Sequence, residues 1–141
     1  MQLIDSPELP APAGHYSQAV EANGMVYLSG MLPSPATDAL TASFEQQCQS
    51  VFDQCEKVRA AAGCGLHDVV QCTVYLVGVD YWPAFNAIYA RIFGAHKPAR
   101  AVVPVPALHF GFLVEVQLVA QVARPVPPNS GNTIRAASTG R

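Results

Sequence analysis

Charge is scarce in this chain. Asp, Glu, Lys and Arg together make up 13% of 141 residues, while half of the residues are hydrophobic. The eight basic side chains are scattered and the formal net charge is −2, which leaves no electrostatic footprint for a nucleic-acid backbone. Direct nucleic-acid binding is not expected. No apolar run reaches the ~20 residues of a membrane span, and the opening MQLIDSPELPAPAG has neither a basic stretch nor the apolar core of a secretion signal. The expectation is a cytoplasmic protein without a membrane partner. The cysteines Cys48, Cys55, Cys64 and Cys72 show no C-x-x-C spacing, and the four histidines do not cluster with them, so no metal site is expected. Cys48 and Cys55, seven apart in a helical pattern, read as small hydrophobes on one face. Also missing are a glycine-rich phosphate loop of either common kind and any internal repeat.

The length suits one domain with its own core. Low charge beside so much apolar sequence argues that part of the surface is covered by something other than water, most simply another copy of the chain. Hydrophobic periodicity then supplies the elements. Tyr16 to Glu21 and Met25 to Ser29 read as strands joined by an Asn23-Gly24 turn. From Thr41 to Ala62, Phe44, Cys48, Val51, Phe52, Cys55, Val58 and Ala62 recur at three and four, predicting an amphipathic helix capped by Ser43 with Gln46, or by Thr41 one turn earlier, and stopped at Gly63 and Gly65. Asp68 to Val77 alternates, with Val70, Cys72, Val74 and Leu76 inward, predicting a strand. Asp80 and Pro83 open a second helix with Trp82, Phe85, Ile88, Tyr89, Ile92 and Phe93 on its apolar face. Ala99 to Val105 and Phe112 to Val122 complete a ββαβαββ order. Pro104 and Pro106 cannot donate to a ladder, which puts the first of these two strands at an edge or against another subunit. The single domain is expected over residues 1–123, followed by a Pro/Ser-rich tail over 124–141 that has too little apolar surface to fold alone.

Within Pro98 to Val119, the run PARAVVPVPALHFGFLVEVQLV, two charges stand among small and apolar residues. Burying an unpaired ion costs several kcal/mol, so Arg100 and Glu115, on what read as neighbouring strands, suggest a site. The arginine offers a planar fork for a carboxylate or phosphate, and the glutamate can orient a water or move a proton. Taken singly, each also has an ordinary explanation. Glu115 can lie on the wet face of a half-exposed sheet, Arg100 can be a salt bridge or a strand-edge charge, and Asn86 can face solvent or an interface. Tyr16 and Ser29 read as strand-end residues, and His109 as a surface or satisfied histidine.

Read together, the residues resemble a known family. Gly14-His15-Tyr16-Ser17-Gln18-Ala19, Leu28-Ser29-Gly30, Ala62-Gly63 with Asp68-Val69-Val70, Phe85-Asn86 with Tyr89 and Phe93-Gly94, Lys97-Pro98-Ala99-Arg100, and Val114-Glu115-Val116 with Ala120 are similar, in order over residues 10 to 122, to the Rid (YjgF) family of reactive-intermediate deaminases. The resemblance implies a chorismate-mutase-like α+β fold: a mixed sheet packed on two helices, assembled as a homotrimer with a barrel-like centre and clefts between subunits. It implies hydrolysis of enamines and imines, 2-imino acids among them, to 2-oxo acids and ammonia, with no metal or organic cofactor. By the same resemblance Arg100 holds the substrate carboxylate, Glu115 positions the water, and Tyr16, Ser29, Gly30, Asn86 and Val102 line or support the cleft. The chain departs from the common family pattern at His15 (usually proline), Met31 (often glutamine), Ala101-Val102 (Ser-Cys or Ser-Thr) and His109 (usually proline). These changes alter the walls around the arginine and glutamate, and bear on which imine or enamine is taken. An aminomuconate-like intermediate is one candidate. The alternative from another class is a non-catalytic trimer that senses a 2-oxo acid through Arg100; a nuclease comes last, for want of a basic surface.

Overall fold

The computed structural model describes residues 1–122; the predicted tail lies outside the described residues. Six strands form one sheet in the order β1-β2-β3-β6-β4-β5. They are β1 (Gln2–Ile4), β2 (Ala19–Ala22), β3 (Met25–Leu28), β4 (Val69–Val77), β5 (Ala99–Val105) and β6 (Val114–Gln121), with the helices α1 (Phe44–Ala61) and α2 (Trp82–Phe93). β4 and β5 run parallel, joined through α2, while every other pair is antiparallel. The predicted α+β order holds with one addition. The short β1 pairs Gln2 to Ile4 against Glu21 to Ala19, and three residues are too few to show a period.

Local chemistry accounts for the boundaries. Asn23 and Gly24 both take positive φ, 53° and 78°, the geometry that closes a two-residue hairpin compatible with strand twist. Ser43 caps α1 as predicted. Its hydroxyl accepts from the Gln46 N–H at 3.0 Å, and the Gln46 side chain accepts from the Ser43 N–H at 2.8 Å. Gly63, at φ 78°, follows the cap residue Ala62 and turns the chain out of the helix. The first predicted strand begins later than expected, so Tyr16 and Ser17 lie in the loop before β2 and are not part of a strand.

Cys48, Val51, Cys55 and Val58 of α1 and Phe85 of α2 pack with Cys72, Val74 and Leu76 of β4 and Val114, Val116 and Leu118 of β6, all of them essentially inaccessible. Burial of an aliphatic or aromatic side chain stabilises by about 1.5–3 kcal/mol, so this layer fixes which face of each strand meets the helices. Burial also raises the thiols, Cys48 and Cys72 to about 12 and Cys55 further, so they stay protonated core residues. Two inward assignments fail. A register irregularity between Val69 and Gln71 turns Val70 outward, 38% exposed, because a bulge shifts the alternation by one residue. Trp82 is 45% exposed at the first turn of α2, ahead of the point where the helix settles on the sheet. Among the described residues no helix is long and apolar enough to cross a membrane.

Candidate functional site

Glu115 projects from the sheet face opposite the helices. Its neighbours in β6, Val114 and Val116, are fully buried in the core, and in register it faces Tyr75 of β4. The chain from Ser29 to Met31 is folded against it. Met31 exchanges two backbone bonds with Val116, 2.7 and 2.9 Å, which holds Gly30 beside the Glu115 carboxylate. A Cβ on Gly30 would collide with Glu115 Oε2 and lie 3.2 Å from its Cδ, so any larger residue there would push the carboxylate from this position. Ser29 is fixed in turn. Its Oγ donates to the Ser17 carbonyl at 2.6 Å and its N–H to the Gln18 carbonyl at 2.9 Å, tying the end of β3 to the loop that carries Tyr16.

These residues enclose a cavity of ≈ 420 Å³ whose wall includes Tyr16, Ser29, Gly30, His109, Phe110 and Glu115. Glu115 is partly desolvated there, and burial lifts its carboxyl above the ordinary range while the charge of His109 opposes the rise. A carboxylate so placed is a better proton acceptor than a solvated one. His109, whose departure from the family's proline marked it as altering the wall, does line the cavity, whereas Phe110 was not singled out by sequence reasoning.

Arg100 lies elsewhere. β4 separates β5 from β6, so the two charged residues are not on neighbouring strands as predicted. Arg100 is in register with the inward-facing Cys72, and its side chain turns to α2, where Nη1 donates to Asn86 Oδ1 at 3.0 Å and the guanidinium sits over the Tyr89 ring, 4.8 Å from its centre. It is therefore on the helix side of the sheet, and Glu115 is on the open side. Two strand spacings separate their backbones by about 10 Å, with a further ~10 Å of offset along the strands. Val102, two residues beyond Arg100 on the same side, lines a small apolar hollow of ≈ 140 Å³ with Trp82, Val79 and Pro104. One chain thus brings Tyr16, Ser29, Gly30 and Glu115 into one group and Arg100 and Asn86 into a second, with Val102 nearby, and does not join the two. Arg100 is exposed and has no carboxylate partner among the described residues. Nor do those residues gather three or more His, Cys, Asp or Glu side chains as a metal ion would need.

A mixed sheet backed by two helices, with a cavity on its open side and a clamped arginine at its parallel edge, defines a chorismate-mutase-like α+β protein. The chain belongs to the family described as Endoribonuclease L-PSP, which takes in the YjgF, Rid and RutC proteins and whose model matches residues 7–122. It is 33% identical over 121 residues to a RutC family protein of Pyrococcus horikoshii, covering 84% of this chain and 96% of that one. The crystal structure of a Rid-family protein of Yersinia pestis superimposes with a TM-score of 0.78 at 30% identity, covering 86% of this chain and 98% of that one. Escherichia coli TdcF with bound serine gives 0.79 at 25% identity, covering 87% and 100%.

Proposed function

We propose that the protein hydrolyses 2-imino acids and their enamine tautomers to 2-oxo acids and ammonia. The observation that carries this reading is the pair of half-sites: a partly desolvated carboxylate in a cavity, and a guanidinium clamped by Asn86 and Tyr89 yet without a carboxylate partner among the described residues. A 2-imino acid needs both. Its carboxylate matches the arginine fork, and its electrophilic carbon needs a water whose proton has an acceptor. Glu115 takes that proton as the C–O bond forms. The nitrogen of the resulting carbinolamine is then protonated, and C–N cleavage leaves a carbonyl and ammonia. No step requires a metal or organic cofactor.

The half-sites meet only if a second copy supplies one of them. Half-buried Tyr75, Val77, Val103 and Val119 on the open face, together with the outer edge of β5, which is unpaired among the described residues, suit burial against another copy. A homotrimer in which Arg100, Asn86 and Val102 of one subunit approach Tyr16, Ser29, Gly30 and Glu115 of the next completes the site. We read the domain as ending near residue 123, with the tail outside it, and place the protein in the cytoplasm. The test couples an amino-acid oxidase or dehydratase to the protein and follows ammonia and 2-oxo acid across several parent amino acids, with light scattering for the trimer. No acceleration over the uncatalysed imine, or a monomer at micromolar concentration, removes the reading.

Serine bound in the TdcF neighbour favours a second reading, a trimer that binds a small carboxylate ligand without turning it over. Retained 2-oxo acid binding without imine hydrolysis selects it. Nucleic-acid cleavage, which the family description names, does not suit a chain of net charge −2 with scattered basic residues.

A further inference from the structure

The turn between β5 and β6 is the most strained piece of described backbone. His109 to Gly111 make one 3₁₀ turn in which Phe110, a bulky residue, takes φ 62° and ψ 17°. Left-handed backbone at a non-glycine residue costs on the order of 1–3 kcal/mol and persists where the surroundings impose it, commonly at functional sites. Gly111 follows at φ 76°, and Phe112 N–H closes the turn onto the His109 carbonyl at 3.3 Å. The Phe110 ring remains 79% exposed, so burying the aromatic is not what the strain achieves. The turn does place His109 in the wall of the cavity that holds Glu115.

We propose that His109 is a second catalytic group of this cavity, the acid that protonates the departing nitrogen while Glu115 serves as the base toward water. This rests on the imine-hydrolase reading and assigns it one further residue. The ionisable groups in the cavity wall are Tyr16 from the loop before β2, His109 from the turn and Glu115 from β6. Of these, only imidazole ordinarily changes charge near neutral pH. The imine enters in its protonated form, and Glu115 takes one proton from water as the C–O bond forms, giving the neutral carbinolamine. Imidazolium then gives its Nε2 or Nδ1 proton to the amine nitrogen. The C–N bond breaks, its electron pair leaving with ammonia, and the carbinol O–H loses its proton to the imidazole as C=O forms. Glu115 returns its proton to ammonia, so one water is consumed, ammonium leaves, and both side chains are restored. With two groups, Glu115 need not return its proton before the C–N bond breaks.

The experiment compares the parent with His109→Gln, which retains a hydrogen-bonding side chain but cannot act as an acid. Imine hydrolysis is followed from pH 6 to pH 9 and 2-oxo acid binding is measured alongside. Expected is a loss of about 10²-fold in kcat near pH 6, the lower end of what general acid catalysis supplies. The parent-to-variant ratio should shrink as pH rises through the imidazole range, with binding of the 2-oxo acid and the melting temperature preserved. Taking the ratio cancels the substrate's own titration. Equal rates across the range, or a ratio independent of pH, overturn the assignment of His109 and leave the hydrolase reading intact. A parent that does not hydrolyse imines at all overturns both.

Discussion

The two faces of the sheet treat their functional charges in opposite ways. On the open side Glu115 is enclosed, faces glycine where another residue would leave a methyl group, and has its proton affinity raised by burial. On the helix side Arg100 stays exposed and is held by an amide oxygen and an aromatic face. The difference suits the division of work proposed above. A base needs desolvation to gain strength, and desolvation costs stability. An anchor for a carboxylate needs its charge intact and its fork pre-oriented, which a neutral clamp provides without consuming the charge in an ion pair.

The widest separation between the faces is expected from Glu115→Gln. Turnover should fall by about 10²- to 10⁴-fold, while 2-oxo acid binding holds or tightens because Arg100 is untouched. The same variant should melt higher than the parent at pH 7. A folded-state pKa raised above the unfolded value means that stability is fully present below the unfolded carboxylate range and is lost as pH rises through the folded value. The advantage of the variant should therefore fade as the buffer is taken below pH 4. A parent that matches the variant in melting temperature at neutral pH would show that Glu115 carries no desolvation cost.

Arg100→Lys tests the other face, with an expected loss of about 10- to 100-fold in kcat/KM, since an ammonium cannot reproduce two parallel bonds to one carboxylate. The proposed trimer should persist in this variant by light scattering. Co-expressing Arg100→Lys chains with Glu115→Gln chains then asks whether the faces meet between subunits. Random mixing in a closed ring gives about one site in four both wild-type partners, so the mixed preparation should recover about that fraction of parental activity. Activity no higher than the average of the two pure variants would place both groups in one chain after all.

Gly30→Ala is expected to be milder on folding than on rate. The added methyl displaces the Glu115 carboxylate, so kcat should drop while Arg100-dependent binding changes little. A parental kcat would mean that the carboxylate has room to move without consequence. The smallest effect is predicted for Tyr89→Phe. The buried hydroxyl meets only the weakly bonding Cys72 thiol, and the ring underlies Arg100, so stability and KM should stay within about 0.5 kcal/mol of the parent. A larger loss of affinity would give the hydroxyl a part in the clamp.

Periodicity alone determined most of the architecture. The 3.6-residue repeat of α1, the alternation of β4 and β6, the Asn-Gly turn and the Ser43 capping box are local signals, each readable because a few adjacent residues state them. The prolines of β5 likewise announced an edge strand, and the burial of Val114, Val116 and Leu118 put Glu115 on the opposite face, as their alternation required. What lay beyond the sequence was anything set by pairing between distant segments. The bulge that turns Val70 outward depends on the register of β4 against β6, and three-residue β1 exists only because β2 offers it an edge. That β4 runs between β5 and β6 is a matter of sheet order, which no local pattern encodes, and it sets Arg100 and Glu115 two strands apart, while the register of Arg100 with the inward-facing Cys72 puts them on opposite faces. His109 entered the Glu115 cavity by the same route, through a strained turn whose φ at Phe110 the residue type itself disfavours, so only the packed structure could impose it.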